Sequence, residues 1–226
     1  MKPLLAIETS TVACSVAVGG AEGTALQERH EPGAHASHIM AMIDTALEDG
    51  GIEMNALGGI VYGQGPGSFT GVRIAVALAQ GLAAGLSVPV LGVSSLAVLA
   101  QVAVAANPGR ALLVVQDARM GEVYAGTYAP NVAGIVRATG ADRLLEPDAV
   151  TALKDGVVLG GALQSMPALA ARLEDCGMMT APELMLPSAR ELLVLARAAG
   201  DTGWTPAANA AAVYLRQQVA TAKPAG

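Results

Sequence analysis

Apolar positions along this chain change their period several times. Leu4–Thr9 and Cys14–Val18 read as two short strands joined by Ser10-Thr11-Val12-Ala13, and Thr24–His30 alternates as a third. From Ser37 the spacing becomes helical, with Ile39, Met42, Ile43, Ala46 and Leu47 on one face and Gly50-Gly51 as the stop. A strand at Ile60–Tyr62 follows. The glycine-rich turn Gly63-Gln64-Gly65-Pro66-Gly67-Ser68 comes next, then a helix from about Thr70 to Gly85, a strand at Val88–Val93 and a helix from Ser95 to about Ala105. Past Asn107-Pro108-Gly109, Ala111–Gln116, Glu122–Tyr128, Ile135–Ala138 and Val157–Leu159 read as strands. Helices are expected at Met166–Glu174 and Ser188–Ala199.

This order implies an α/β fold of mixed sheets flanked by helices. Three strands, helix, strand, helix, strand resembles the ribonuclease-H-like half that is duplicated in actin, sugar kinases and heat-shock chaperones. The expected organisation is two lobes: 1–106 as the ribonuclease-H-like lobe and 107–226 as a smaller, more degenerate one. A return of the last segment to the first lobe is left open. Fold analogy of this kind does not assign a function.

Composition narrows the classes. The chain has 226 residues, 53% of them hydrophobic, 14% charged and only 3% aromatic, so Ala, Val and Leu must build the core. The net charge of −6 lacks the basic footprint of a protein that grips nucleic acid unaided. Cys14 and Cys176 are the only cysteines, which suits a reducing compartment. The N-terminus runs straight into strand-like sequence, so no signal peptide is expected and a cytoplasmic location is. No charge occurs between Ile74 and Gly109, yet Gln80, Gly81, Gly85, Ser87 and Pro89 interrupt the run. A buried helix followed by a buried strand fits it better than a membrane span.

The glycine turn has two readings. As a cradle, Gly65, Gly67, Ser68 and Thr70 would present backbone N–H groups to an anion or nucleotide at a helix N-terminus. No Lys-Ser or Lys-Thr pair follows, so it is not a P-loop, and the glycine spacing is not that of dinucleotide binders. As plain structure, it is a tight connection in which Ser68 or Thr70 caps the helix. The helix itself leaves almost no polar face, and such a helix must be covered on every side. Its small residues Ala75, Ala79 and Ala83 would let a second helix come close. A protein interface and full burial within its own lobe both satisfy the pattern.

Other candidate chemistry is sparse. His35 and His38 could ligate a metal from one helix face, but a site needs further ligands that the chain does not offer nearby, so solvated histidines are expected. Glu8-Thr9-Ser10-Thr11 lies where kinases of the superfamily place an acid and a hydroxyl near phosphate, although a polar hairpin turn explains it too. Asp117-Ala118-Arg119-Met120-Gly121-Glu122-Val123-Tyr124 holds an acid, a base and a second acid in a strand-to-strand turn, which reads as a site or equally as a turn bridged by Asp and Arg. No nucleophile with a partnering base stands out.

Taken together, Leu5–Ser10 with Cys14–Ala17, Gly65–Arg73, Gly92–Leu96, Asp117–Tyr124 and Tyr214-Leu215-Arg216 resemble, in order, the TsaB (YeaZ) family. The resemblance implies a non-catalytic scaffold and activator in threonylcarbamoyladenosine modification of the tRNA adenosine next to the anticodon. It implies a TsaD-like transferase and a TsaE-like ATPase as partners, with tRNA reached only through the complex. It implies no cofactor or metal of its own, ATP being left to the complex, and pairing through N-terminal-lobe helices, either with TsaD or as a homodimer. The implied interface is Ile39, Met42, Ile43, Ala46, Val72, Ala75, Val76, Ala79, Leu82 and Ala83. Ala79→Glu or Ala83→Glu is then expected to abolish pairing without unfolding the chain. Glu8 stands where many relatives have Asp, and the two TsaD histidines four apart are not matched by His35 and His38. The alternatives are a nucleotide-dependent transferase or kinase of the superfamily and a metallopeptidase-like protein.

Overall fold

A computed structural model describes residues 2–20, 23–31, 35–181 and 185–216. Two mixed sheets organise them. In the first, β1 (Leu4–Glu8), β2 (Cys14–Gly19), β3 (Thr24–Arg29), β4 (Gly59–Gly63) and β5 (Val90–Val93) take the order β3-β2-β1-β4-β5. The β1–β2–β3 meander is antiparallel, and β4 and β5 add in parallel through helical crossovers. The second sheet contains β6 (Leu112–Asp117), β7 (Val123–Pro130), β8 (Val136–Ala138), β9 (Arg143–Leu145), β10 (Val157–Leu159) and β11 (Met179–Thr180). Its order is β11-β10-β6-β7-β8, with β9 also on β7.

The helices are α1 (His35–Asp49), α2 (Phe69–Leu86), α3 (Ser95–Ala103), α4 (Ala162–Ser165), α5 (Pro167–Asp175) and α6 (Ala189–Ala199). Serine fixes three of the starts. Ser68 accepts from Gly71 N, Ser94 from the amides of Leu96 and Ala97, and Ser188 from Arg190 N. Alternation along β1, β2 and β4 sends Leu5, Ile7, Val16, Val18, Ile60 and Tyr62 to one side, against α1 and α2. The other side, with Leu4, Ala6, Ala17 and Val61, is covered by α3 and α6. Helix α6 comes from the far end of the chain yet packs on the first sheet. The Ser15 hydroxyl on β2 accepts from Ala189 N at 2.9 Å, and Arg197 donates to the Gly20 carbonyl at 3.2 Å. After α6, Thr205 pairs with Val90 and Val213 N donates to Gln64 O. The last described residues therefore run along the β4–β5 region of the first sheet.

The expected mixed-sheet α/β architecture is present, and most strands and helices lie within a residue or two of their expected bounds. The sequence reading omitted β9, β11 and α4, each of two to four residues. One described helix, α2, is long and apolar enough to cross a membrane. In this fold it lies on the sheet, with Val72, Ala75, Ala79 and Ala83 in the core.

Candidate functional site

A cleft of about 1430 Å³ is lined by segments from both sheets and the helices packed on them. The side of the first sheet contributes the β1–β2 turn, His35 and the first turn of α2; the side of the second contributes Gln116–Met120, Tyr124 and Gly161. The glycine turn enters this cleft from β4. Two of its glycines exist because the chain's own β1–β2 turn comes close. A Cβ on Gly67 would overlap Ser10, and one on Gly71 would overlap the Thr9 carbonyl. Ser68 N donates to Ser10 O at 2.7 Å, and Thr9 Oγ1 donates to Gly71 O at 2.7 Å. What approaches the turn so closely is thus protein. The candidate contacts Gly67, Ser68 and Thr70 line the cleft, whereas Gly65 is buried behind it.

Glu8 is fully buried. Its Oε1 accepts from Ser10 N at 2.7 Å and its Oε2 from Ser95 Oγ at 3.1 Å, so both oxygens are engaged inside the lobe. Burial pushes its carboxyl pKa above the ordinary value, with the hydrogen bonds from Ser10 and Ser95 acting in the opposite sense. The expected structural turn, rather than a kinase-like acid, matches this geometry. His35 corrects an expectation: it is not solvated but 7% exposed, with Nε2 2.9 Å from Thr11 O. The chain folds back at the start of α1 so that this ring covers the β1–β2 turn. His38 instead faces Glu31 at 3.7 Å. Among the described residues no group of three or more His, Cys, Asp or Glu could hold a metal ion.

The helix surface expected to meet a partner needs a second correction. Ile39, Met42, Ile43, Ala46, Val72, Ala75, Ala79 and Ala83 are all buried in the chain's own core, and only Val76 and Leu82 are partly exposed. The small residues Ala75, Ala79 and Ala83 let α2 lie close on the sheet, not on a second helix. The outward side of α2 is Ala77, Gln80, Gly81, Ala84 and Gly85, and after Arg73 it carries no charge. A side chain added at Gly81 or Gly85 would meet nothing.

A family model described as TsaD, tRNA N6-adenosine threonylcarbamoyltransferase, matches residues 31–156. The tRNA threonylcarbamoyladenosine biosynthesis protein TsaB of Escherichia coli (strain K12) is 37% identical over 232 residues, spanning 99% of this chain and 98% of that protein. This chain belongs to the TsaB family. The Haemophilus influenzae TsaB is 43% identical over 122 residues, covering 54% of this chain and 51% of the relative. The solved YeaZ from Pseudomonas aeruginosa superposes with a TM-score of 0.84 at 35% identity, covering 95% of this chain and all of that one. A further Pseudomonas aeruginosa structure, described as an uncharacterized protein with similarity to peptidase YEAZ, gives 0.86, also at 35% identity, over 96% of this chain and all of that one.

In this TsaB-family chain the cleft mouth holds features that sequence reasoning did not single out. Phe69 is 57% exposed, and the Arg73 guanidinium lies 3.3 Å from its ring centroid. Arg73 Nε also donates to the Tyr214 hydroxyl at 2.9 Å. Two residues on, Arg216 pairs with Glu122 and donates to the carbonyls of Ala118 and Arg119. Segment 213–216 therefore straps the start of α2 and the end of β4 to the β6–β7 turn. Of its two readings the structure shows the bridge, with Arg119 N donating to Asp117 Oδ1 at 2.7 Å. Its φ angles are positive at Arg119, Met120 and Gly121, and Met120 is 74% exposed. The quoted Tyr214-Leu215-Arg216 was the available signal, but its contacts lie about a hundred residues or more away in sequence and leave no local pattern.

Proposed function

We propose that this chain serves as the TsaB-type subunit in threonylcarbamoyladenosine modification of tRNA, as a non-catalytic scaffold and activator of a TsaD-like transferase. Its relatives carry that biosynthetic name. The observation that carries the partner reading is the outward face of α2. A solvent-facing helix surface is ordinarily charged or polar, whereas here Ala77, Gly81, Ala84 and Gly85 are exposed beside the partly exposed Val76, Leu78 and Leu82. Such a face lets another helix approach closely and bury apolar surface at about 25 cal/mol per Å². The matched TsaD-type region, 31–156, includes this helix, so a TsaD-like subunit is a structurally related partner for it. A second copy of the chain would compete for the same face.

A TsaE-like ATPase completes the assembly, which supplies ATP and the basic surface that the acidic chain lacks. The inward-facing Glu8 favours this reading over a kinase-like enzyme. The test is reconstitution of tRNA modification from purified subunits. Omitting this chain is expected to abolish modification, and restoring it to recover it. Full modification without it would overturn the proposal.

A further inference from the structure

We propose that Arg73 is the specificity-determining contact of the α2 face: it takes a carboxylate of the TsaD-like subunit in its guanidinium fork, and Phe69 and Tyr214 hold it ready. The inference rests on the partner reading, and it adds which type of partner residue is recognised and at which end of the helix. Phe69, Arg73, Ala77, Gln80 and Ala84 succeed one another at helical spacing and are all exposed, so they form one stripe along α2. Arg73 is the only charged residue of that helix. The stripe is therefore apolar along its length and cationic at its first turns.

The guanidinium is set in advance. It lies 3.3 Å from the Phe69 ring centroid and 5.4 Å from that of Tyr214, and its Nε donates to the Tyr214 hydroxyl at 2.9 Å. Among the described residues no carboxylate pairs with it, and the acids of the β6–β7 turn are already matched, Glu122 with Arg216 and Asp117 with Arg119. The ring contacts and the Nε bond thus fix the side chain while both Nη groups stay unbonded. Selecting one rotamer of a long side chain before binding removes part of the ordering cost. The two free Nη groups match the two oxygens of a carboxylate.

An apolar interface that covers Arg73 must supply a counter-charge, because a buried unpaired charge is strongly unfavourable. A docking surface with a carboxylate at the Phe69 end is accepted, and one with an apolar or basic residue there is rejected. A second copy that offers its own α2 fails this requirement, since that helix holds no acid. A nucleic-acid strand fits worse than a protein carboxylate: both rings already flank the arginine, and the net charge of −6 opposes a polyanion.

The test measures the dissociation constant of the purified TsaD-like subunit for the full chain by calorimetry, at low and at high salt. Arg73→Gln is expected to raise it about thirtyfold. Arg73→Lys, which keeps the charge and loses the fork, raises it about tenfold. Added salt weakens the wild type more than Arg73→Gln. Tyr214→Phe keeps the ring and loses the hydroxyl; it weakens binding about threefold in the wild type and not at all in the Arg73→Gln background, the mark of a positioning residue. Wild-type affinity in Arg73→Gln, with Gly81→Arg losing the subunit, would overturn this inference and leave the partner reading standing. No binding by the wild type, or full binding by Gly81→Arg, would overturn the partner reading and this inference with it. Self-association lost in Arg73→Gln at unchanged affinity for the TsaD-like subunit would give the contact to a second copy and overturn the inference too. Should Arg73→Gln fail to fold, Arg73→Lys and the salt dependence decide it.

Discussion

Helices α2 and α6 pack on opposite faces of the same sheet, and their outer surfaces are unlike. Helix α6 buries Ala189, Leu192, Leu193 and Ala196 and turns Arg190 outward, with Glu191 and Arg197 at its flanks. This is an amphipathic helix finished by solvent. Helix α2 buries Val72, Ala75, Ala79 and Ala83 in the same way, yet its opposite side is alanine, glycine and one glutamine. Equal burial on the inside therefore accompanies a solvent finish on one helix and none on the other. On the proposed function, the outer face of α2 is the surface that would meet a partner, whereas its inner residues hold the fold.

The largest expected effect breaks the inner half of the comparison. Ala79→Glu places a charge in a site with no exposure, and an uncompensated buried charge costs about 3–5 kcal/mol. The variant is expected to unfold or to melt far below the wild type in thermal denaturation, and Ala196→Glu on α6 should match it. Next comes the strap. Arg216→Ala leaves the largely buried Glu122 without its ion pair and frees the carbonyls of Ala118 and Arg119, a loss of about 2 kcal/mol. Urea unfolding should show it, with little change in the denaturant slope.

Glu8 sharpens the picture through pH. Its folded-state pKa is raised above the unfolded value of 4.5, first of all by burial. The folded state thus holds this proton more tightly. The favourable contribution is complete below the unfolded pKa and is lost as pH rises through the folded pKa. Glu8→Gln is expected to flatten that decline, so its stability relative to the wild type improves with rising pH. A variant with the same pH slope as the wild type would contradict the assignment. The smallest effect is on the outer face. Gly81→Ala should stabilise the isolated chain by about 1 kcal/mol, because the added methyl meets nothing and helix propensity improves.

Much of this was legible in the sequence, for definable reasons. The glycine turn and its helix were readable because Gly63–Ser68 combines turn residues with a serine cap just before a long apolar run. The phase of that helix was not. A run apolar on every side gives periodicity nothing to point with, and Ala75, Ala79 and Ala83 suit close packing on a sheet as well as on a helix. His35 reads as solvated because no further metal ligands lie near it in sequence, while the carbonyl that holds it belongs to Thr11. The strap was hidden for a similar reason: Arg73 and Tyr214 are bonded across 141 residues of sequence. Strands β9 and β11 are too short to alternate visibly.

The central claim is that the uncharged outer face of α2 docks a TsaD-like subunit. The most direct measurement is co-purification of that subunit with the wild type, with Gly81→Arg on α2 and with Ala198→Arg on the exposed side of α6, each checked for an unchanged melting temperature. The account predicts that Gly81→Arg loses the partner while Ala198→Arg retains it. Retention of the partner by a folded Gly81→Arg protein would contradict it.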